Sequence, residues 1–498
     1  MRVLLDTNIL ISREASKPLP NNLLELLQLL SDSEVRVVIH PRSVDDLDRD
    51  DDKVRRDTNI SKIRSYTLLE SPPSPFEDQE FLQLIGETRS PNDSVDFWIL
   101  YAAYRNAVSY LITEDKGMIR RAGRIGIKTK VISVDEARKL FAKSEPRSLL
   151  QFIPALSTVP VYSLRLEDPF FDGLKKDYHP DFERWFKRIA EEGRMAIVYY
   201  NEDHSLGALL ILKPENEGVA CDPPIPPERR LKIATMKVEH QGFKIGELFI
   251  KLAVQRAIQE NCPELYLTHF VKEHDELVNL ISEYGFIKVA AKSNGEAVFL
   301  KELRPDTRAR NLPPNNTNAV YYPTYYDGRR VKKFIVPILP EFHQDLFVDY
   351  GDRQVTMSEY TGGFVVEGNA IKKAYLTNSK TKELSPGDVL LFYRSHDLKG
   401  ITAVGTVESV HYNVKSKEQV ATLVEKRTVF SISEIEEIMK KQTTVIMFKW
   451  HFYFPNPVSL SSLSRLNISA PQTIARVSHS DYVKIRELGG IDERFTVS

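Results

Sequence analysis

Carboxylates recur in this sequence at the places where an α/β chain does its chemistry. The apolar run Val3-Leu4-Leu5 leads straight into Asp6, and a parallel sheet carries its reactive groups at the carboxyl ends of its strands. Val37-Val38-Ile39 reads as a second strand, followed by a helix that opens at Ser43-Val44-Asp45-Asp46, with Ser43 as cap and Asp46 in the first turn. Asp93 and Asp96 open a helix running through Phe97-Trp98-Ile99-Leu100, and the strand Ser109-Tyr110-Leu111-Ile112 ends at Thr113-Glu114-Asp115. A single strand-ending Asp most often caps the next helix. Several together need compensation, because ionised carboxylates in a low-dielectric site are costly or shift their pKa. Oxygen ligands without His or Cys suit Mg²⁺ or Mn²⁺ rather than zinc. Two such ions about 4 Å apart would activate water for in-line attack on a phosphodiester.

The elements that must position these acids are alternating strands and helices over the first 150 residues. Leu-Asp-Thr-Asn, Val-x-Asp-Leu, Asp-Phe-Trp-Ile-Leu-x-Ala-Ala and Ile-Thr-Glu-Asp, in that order, resemble the motifs of PIN-domain nucleases. The resemblance implies metal ligation by Asp6, Asp46, Asp96 and Asp115, with Asp93 competing for or assisting the third position. The second acid is usually Glu in that family, and Asp45 beside Asp46 leaves this assignment open. Lys116, Arg120, Arg121, Arg124, Lys128 and Lys130 cluster just after Asp115, as a solvated helix face or as a surface for a nucleic-acid strand.

Sixty-eight basic and 69 acidic residues leave a net charge of −1, which excludes a chain that is simply a polycation for nucleic acid. A 498-residue length with 42% apolar content implies about three domains. No apolar stretch approaches the roughly 20 residues needed to cross a bilayer, so no membrane association is expected. Asp6 interrupts what could have been a signal peptide. The two cysteines, Cys221 and Cys262, have no metal-ligand or redox spacing, which fits a reducing cytoplasm.

Prolines from Pro146 to Pro160 mark a boundary near residue 150. Beyond it, Met195 to Tyr200 and Leu206 to Leu212 read as a hairpin, and Leu231 to Val238 as a half-buried strand. That strand leads into Gln241-Gly242-Phe243-Lys244-Ile245-Gly246 and a helix from about Glu247 to Gln259. Backbone N–H groups of such a turn, with the helix N-terminus, make a pyrophosphate cradle. Residues 155 to 303 resemble the GNAT acetyltransferases, which implies acetyl-CoA binding by Val238, Gln241, Gly242, Lys244, Ile245 and Gly246. Lys244 stands where that family usually has Gly. Ile281 occupies the position of the Tyr that protonates the departing thiolate in many members, and Tyr284 is displaced from it. His240 and His269 are further acid or base candidates.

Residues 304 to 330 lack apolar periodicity and read as a linker, whose Tyr321, Tyr322, Tyr325 and Tyr326 dock on a neighbouring domain. The remainder is rich in short strands with turn signals, consistent with a small barrel. Ser385-Pro386-Gly387-Asp388 through Ser395, followed by Gly400 to Glu408, resembles the PUA-like barrels of ASCH and EVE type, which implies an RNA or modified-base ligand. Arg394, Ser395, Lys399, Lys449, Trp450, His451 and Tyr453 combine stacking faces with donors and cations.

These readings give a multidomain α/β and α+β chain: a parallel-sheet PIN-like domain over 1–150, a GNAT-like domain over 151–303, a linker over 304–330, and a PUA-like β-barrel over 331–498. The expected activity is a cytoplasmic, Mg- or Mn-dependent ribonuclease of toxin or phage-defence type. RNA is its partner, an inhibitory protein restrains it, and acetyl-CoA is a second ligand. The alternative is an acetyltransferase acting on an aminoacyl-tRNA or a protein, with the first domain as scaffold. A third reading is a non-catalytic RNA-binding module.

Overall fold

A computed structural model describes residues 2–7, 9, 21–32, 35–47, 53, 56, 66–86, 91–142, 155–201, 205–239, 245–305, 307–347, 350, 364–365, 370–424 and 432–498. The chain divides into two compact units, residues 1–152 with 157–206, and 153–156 with 207–498.

Unit 1 opens with β1 (Arg2–Leu5), α1 (Asn21–Asp32), β2 (Arg36–Ile39), α2 (Ser43–Leu47), β3 (Thr67–Leu68), α3 (Gln79–Ile85) and α4 (Pro91–Tyr104). It continues through β4 (Tyr110–Ile112), α5 (Lys116–Arg124), β5 (Val131–Ile132) and α6 (Val134–Ala142). The strands form an all-parallel sheet in the order β3-β2-β1-β4-β5. Its centre, β1, buries Val3, Leu4 and Leu5, because a strand covered on both faces is a continuous apolar run rather than an alternating one. Val3 and Leu5 share a core with Leu23, Leu26 and Leu30 of α1 and with Ala137 and Phe141 of α6. Strand order reverses between β1 and β4, with Leu5 opposite Ile112, so Asp6 and Thr113 leave the sheet side by side at its switch point. Next come β6 (Ala155–Pro160), α7 (Asp172–Asp177), α8 (Phe182–Glu191) and β7 (Met195–Tyr200). Helix α8 buries Phe182, Phe186, Ile189 and Ala190, spaced as one helical face requires.

In unit 2, β8 (Leu206–Glu215), β9 (Arg230–Val238), α9 (Ile245–Gln259), β10 (Glu264–His269), α10 (Glu276–Glu283), β11 (Ile287–Ala291) and β12 (Ala297–Glu302) come first. These strands run in the order β11-β12-β10-β9-β8. The next part holds α11 (Pro314–Val320), β13 (Tyr325–Tyr326), β14 (Lys333–Ile338), α12 (Pro340–Leu346), β15 (Phe364–Val365), β16 (Lys372–Thr377) and β17 (Val389–Arg394). The rest is β18 (Gly400–Val414), α13 (Lys417–Val424), α14 (Ile432–Ile438), β19 (Thr443–Ser459), α15 (Leu460–Arg465), β20 (Ala475–Val477), α16 (His479–Gly489) and β21 (Thr496–Val497).

Six strands form a mixed sheet ordered β16-β19-β18-β17-β14-β20. Register shifts between Ile401 and Ala403, Val404 and Gly405, Val407 and Ser409, and His411 and Val414 bend the long β18–β19 ribbon, as bulges do.

Residues 304 to 330, expected as a linker, contribute to this core instead. Pro314 starts α11 at a position where its missing N–H costs nothing, and β13 pairs with β21. All four tyrosines of the stretch are buried. Lys301, itself fully buried, donates to the Val320 carbonyl at 2.9 Å. Burial, aided by the Lys449 ammonium, lowers its pKa to about 7.

Candidate functional site

At the carboxyl end of the unit 1 sheet, Asp6 is 2% exposed and its Oδ2 accepts a 2.6 Å hydrogen bond from Thr113 Oγ1. The same hydroxyl oxygen accepts from the Asp115 N–H at 2.9 Å. Asp115 Oδ1 in turn accepts from Met118 N–H at 2.8 Å and caps α5. Asp6 and Asp115 are therefore joined through Thr113, which the sequence reading did not single out. Its only trace there was a hydroxyl two residues before an acid.

Asp93 and Asp96, one helical turn apart on α4, are both held by Arg121 of α5. Its guanidinium lies 3.0 Å from Asp96 Oδ2, pairs with Asp93 Oδ1, and stands 5.6 Å from the Phe97 ring centroid. Arg121, read above as part of a basic surface, instead neutralises two of the acids expected to hold metal. The Asp46 side chain lies outside the described residues. Among those described, no three His, Cys, Asp or Glu side chains gather as a metal centre. Among the described residues, the acids expected to hold Mg²⁺ or Mn²⁺ have other partners: Asp115 caps α5 through Oδ1 and Asp96 is paired with Arg121. Nearby, His40 is buried against Trp98, accepts from Arg42 N–H through Nδ1 at 3.1 Å, and has its pKa lowered to about 3 by burial and by Arg42. It is a neutral core histidine.

The second site lies within unit 2, where β9 and β10 run parallel. They pair only at Arg230 with Glu264, Leu231 with Leu265, and Lys232 with Tyr266. Strand β9 continues to Val238 on the edge of β8, and β10 continues to His269 on the edge of β12. The two strands therefore part after three residues, each anchored on its far side. Their facing edges, Ile233 to Val238 and Leu267 to His269, lie outside the shared ladder.

Helix α9 begins just past this opening. Of the residues assigned to a cofactor cradle, Val238, Ile245 and Gly246 are described, whereas Gln241, Gly242 and Lys244, with His240, lie outside the described residues. Ile245 is buried in the core. Gly246 lets α9 approach α10 closely, since a Cβ there would come 2.7 Å from Leu280 Cδ2.

His269 closes β10 with Nε2 2.7 Å from Asp275 Oδ2, a partnership that six residues of separation gave no reason to expect. Ile281 and Tyr284 are both fully buried. The Tyr284 ring packs edge-on to Tyr322, centroids 5.8 Å apart, and burial raises its pKa well above the ordinary value. Neither residue serves as a proton donor in a solvent-reached site.

The expected base-stacking residues of the C-terminal part are mostly interior. Trp450 is 4% exposed, with Lys251 Nζ 4.4 Å from its ring centroid and the Tyr453 ring tilted against it, centroids 4.9 Å apart. His451 is bonded to Thr406 Oγ1 and to the Pro323 carbonyl, each at 2.8 Å, and burial lowers its pKa to about 3. Lys449 is 6% exposed, and Arg394 is paired with Asp397. Thr443 to Trp450 are buried at every position because both faces of β19 are covered, Ile446, Phe448 and Trp450 packing in one core and Val445 and Met447 in another. A half-exposed strand would have alternated.

No family model matches the chain, and no curated protein matches it. Among solved structures, the chain is similar to an ASCH protein from Zymomonas mobilis, with 12% identity and a TM-score of 0.24 over 32% of this chain and 95% of that one. It is also similar to aminoglycoside 6'-acetyltransferase type Ii, with 15% identity and a TM-score of 0.24 over 30% and 98% of the two chains. A third is a chain of the NatC complex bound to Gag peptide and CoA, with 17% identity and a TM-score of 0.21 over 29% and 96%.

Proposed function

We propose that unit 2 is an acetyltransferase that takes acetyl-CoA between β9 and β10 and passes the acetyl group to an amine, on an aminoacyl-tRNA or a protein. The observation that carries this is the parting of two parallel strands that stay anchored on their outer sides. An extended ligand with its own amides can pair with such edges as an added strand, and the pantetheine arm of CoA is such a ligand. The N-terminus of α9 would receive the pyrophosphate. When bound, acetyl-CoA supplies an activated thioester. The backbone N–H groups of β9 along the edge that parts from β10 would polarise its carbonyl as charge develops on the oxygen.

Acetyl-CoA should raise the melting temperature of the native chain. A ligand that binds only the folded state stabilises it by about 2.7 kcal/mol at a hundred times its Kd. Lys244→Glu, which sets a negative charge in the expected pyrophosphate turn, should shrink the shift. Gly246 is a poor place for this test because its missing Cβ serves helix packing. No shift in the parent at millimolar acetyl-CoA would rule the reading out.

A second reading, RNA cleavage by unit 1, draws on the Asp6–Thr113–Asp115 chain at the switch point of the parallel sheet. It requires Arg121 to release Asp93 and Asp96. If it holds, the purified protein cleaves a tRNA mixture with Mn²⁺ present and Asp6→Asn does not. Equal cleavage by parent and variant, or none by the parent, dismisses it.

A further inference from the structure

Beside the opening between β9 and β10 stands a titratable pair that acetyl transfer, as described so far, leaves unused. His269 is the last residue of β10, on the edge that parts from β9. Its partner Asp275 is fixed by more than the imidazole: Oδ1 accepts from Val278 N–H at 3.1 Å, capping α10, and Oδ2 accepts from Lys272 N–H at 3.0 Å. Burial works against the Asp275 charge, but these donors and His269 hold its pKa below the ordinary value.

The pair faces the side from which the ligand would come. Side chains alternate along a strand, and Thr268 turns to the other face, where its Oγ1 donates to Glu296 at 2.8 Å. His269 therefore shares its face with α10. Leu280 of α10 meets the first turn of α9 at Gly246, so the His269 pair and the start of α9 flank one side of the opening. The imidazole side chain keeps 20% of its surface exposed and can be reached.

We propose that His269 protonates the sulfur that departs during acetyl transfer, with Asp275 as its positioning residue. The inference rests on the acetyl-transfer reading above. The lone pair of the acceptor nitrogen forms the new N–C bond at the thioester carbonyl. The C–S bond breaks with its electron pair on sulfur, and an imidazolium proton passes to that sulfur. The proton shed by the amine goes to water, from which the imidazole is recharged. Nε2 is engaged by Asp275, so Nδ1 carries the transferred proton, and the carboxylate stabilises the imidazolium as in other carboxylate–histidine pairs.

The test uses the full chain and acetyl-CoA, reading free CoA thiol with poly-lysine and aminoacylated tRNA offered as acceptors. His269→Gln should bind acetyl-CoA with unchanged affinity by calorimetry while thiol release falls about a hundredfold or more. Asp275→Asn keeps the helix cap, since Asn caps as well as Asp, and should lose less. A readout without turnover is the ring ¹⁵N resonance of His269, which should move on adding CoA and stay in place with desulfo-CoA, the analogue lacking sulfur. Undiminished thiol release by His269→Gln, or identical resonance shifts with both ligands, overturns the role and leaves acetyl-CoA binding intact. A parent that binds acetyl-CoA but releases no thiol with either acceptor also overturns it. A parent that does not bind acetyl-CoA removes the underlying reading instead.

Discussion

Gly285→Ala should leave little folded unit 2 to assay. Gly285 sits at φ +83°, and a Cβ built there would lie 1.9 Å from the Val320 carbonyl oxygen and 2.6 Å from its carbon. Two penalties coincide: a left-handed backbone that costs an L-residue about 1–2 kcal/mol, and a collision with main chain that no rotamer change relieves. Together they should exceed the roughly 4 kcal/mol that marks an exceptional single substitution. Gly295→Ala is the control. That glycine has φ +91°, but the nearest atom to its Cβ would be Phe270 Cε1 at 4.0 Å, so only the backbone term applies. Denaturant unfolding and soluble yield should separate the two variants widely. Equal losses would mean that the contact between the end of α10 and α11 gives way easily.

The second large effect is expected at Arg486. Asp327 is 1% exposed and receives Arg486 Nη1 at 2.9 Å, Tyr482 Oη at 3.1 Å and Ser498 Oγ at 2.8 Å. Arg486→Met keeps the bulk but removes the cation, stranding a buried carboxylate, which costs about 3–5 kcal/mol. Asp327→Asn added to Arg486→Met should recover much of that loss, because the stranded charge disappears with it. Urea unfolding of the two single variants and the double variant closes the cycle. Strictly additive losses would show that the pair does not act as a unit.

The alternation of strands and helices in the first 142 residues, and the placement of Asp6 and Asp115 at strand ends, were legible because parallel strands buried on both faces leave unbroken apolar runs. The start of α9 was legible to within two residues. What escaped were relations between segments far apart in sequence. Arg121 looked like one of six surface cations because nothing local marks that its partners lie 25 and 28 residues earlier. Trp450 and His451 read as base-binding candidates since a strand mixing Lys, Trp and His carries no sign that both its faces are covered. The tyrosines of 321–326 were legible as docking residues. The strand β13 they help form was not, because its partner is contributed by Thr496 and Val497.

The parting of β9 and β10 also bears on quality control. A sheet normally has two margins, and nature guards them with charge, brevity or a covering segment. Here a second pair of margins opens in the interior of the sheet, formed by Ile233 to Val238 and Leu267 to His269. Any extended segment, including one from another copy of the same chain still emerging from synthesis, can lay itself along them. A strand-like ligand paired with these margins would cover an edge otherwise open to another copy of the chain.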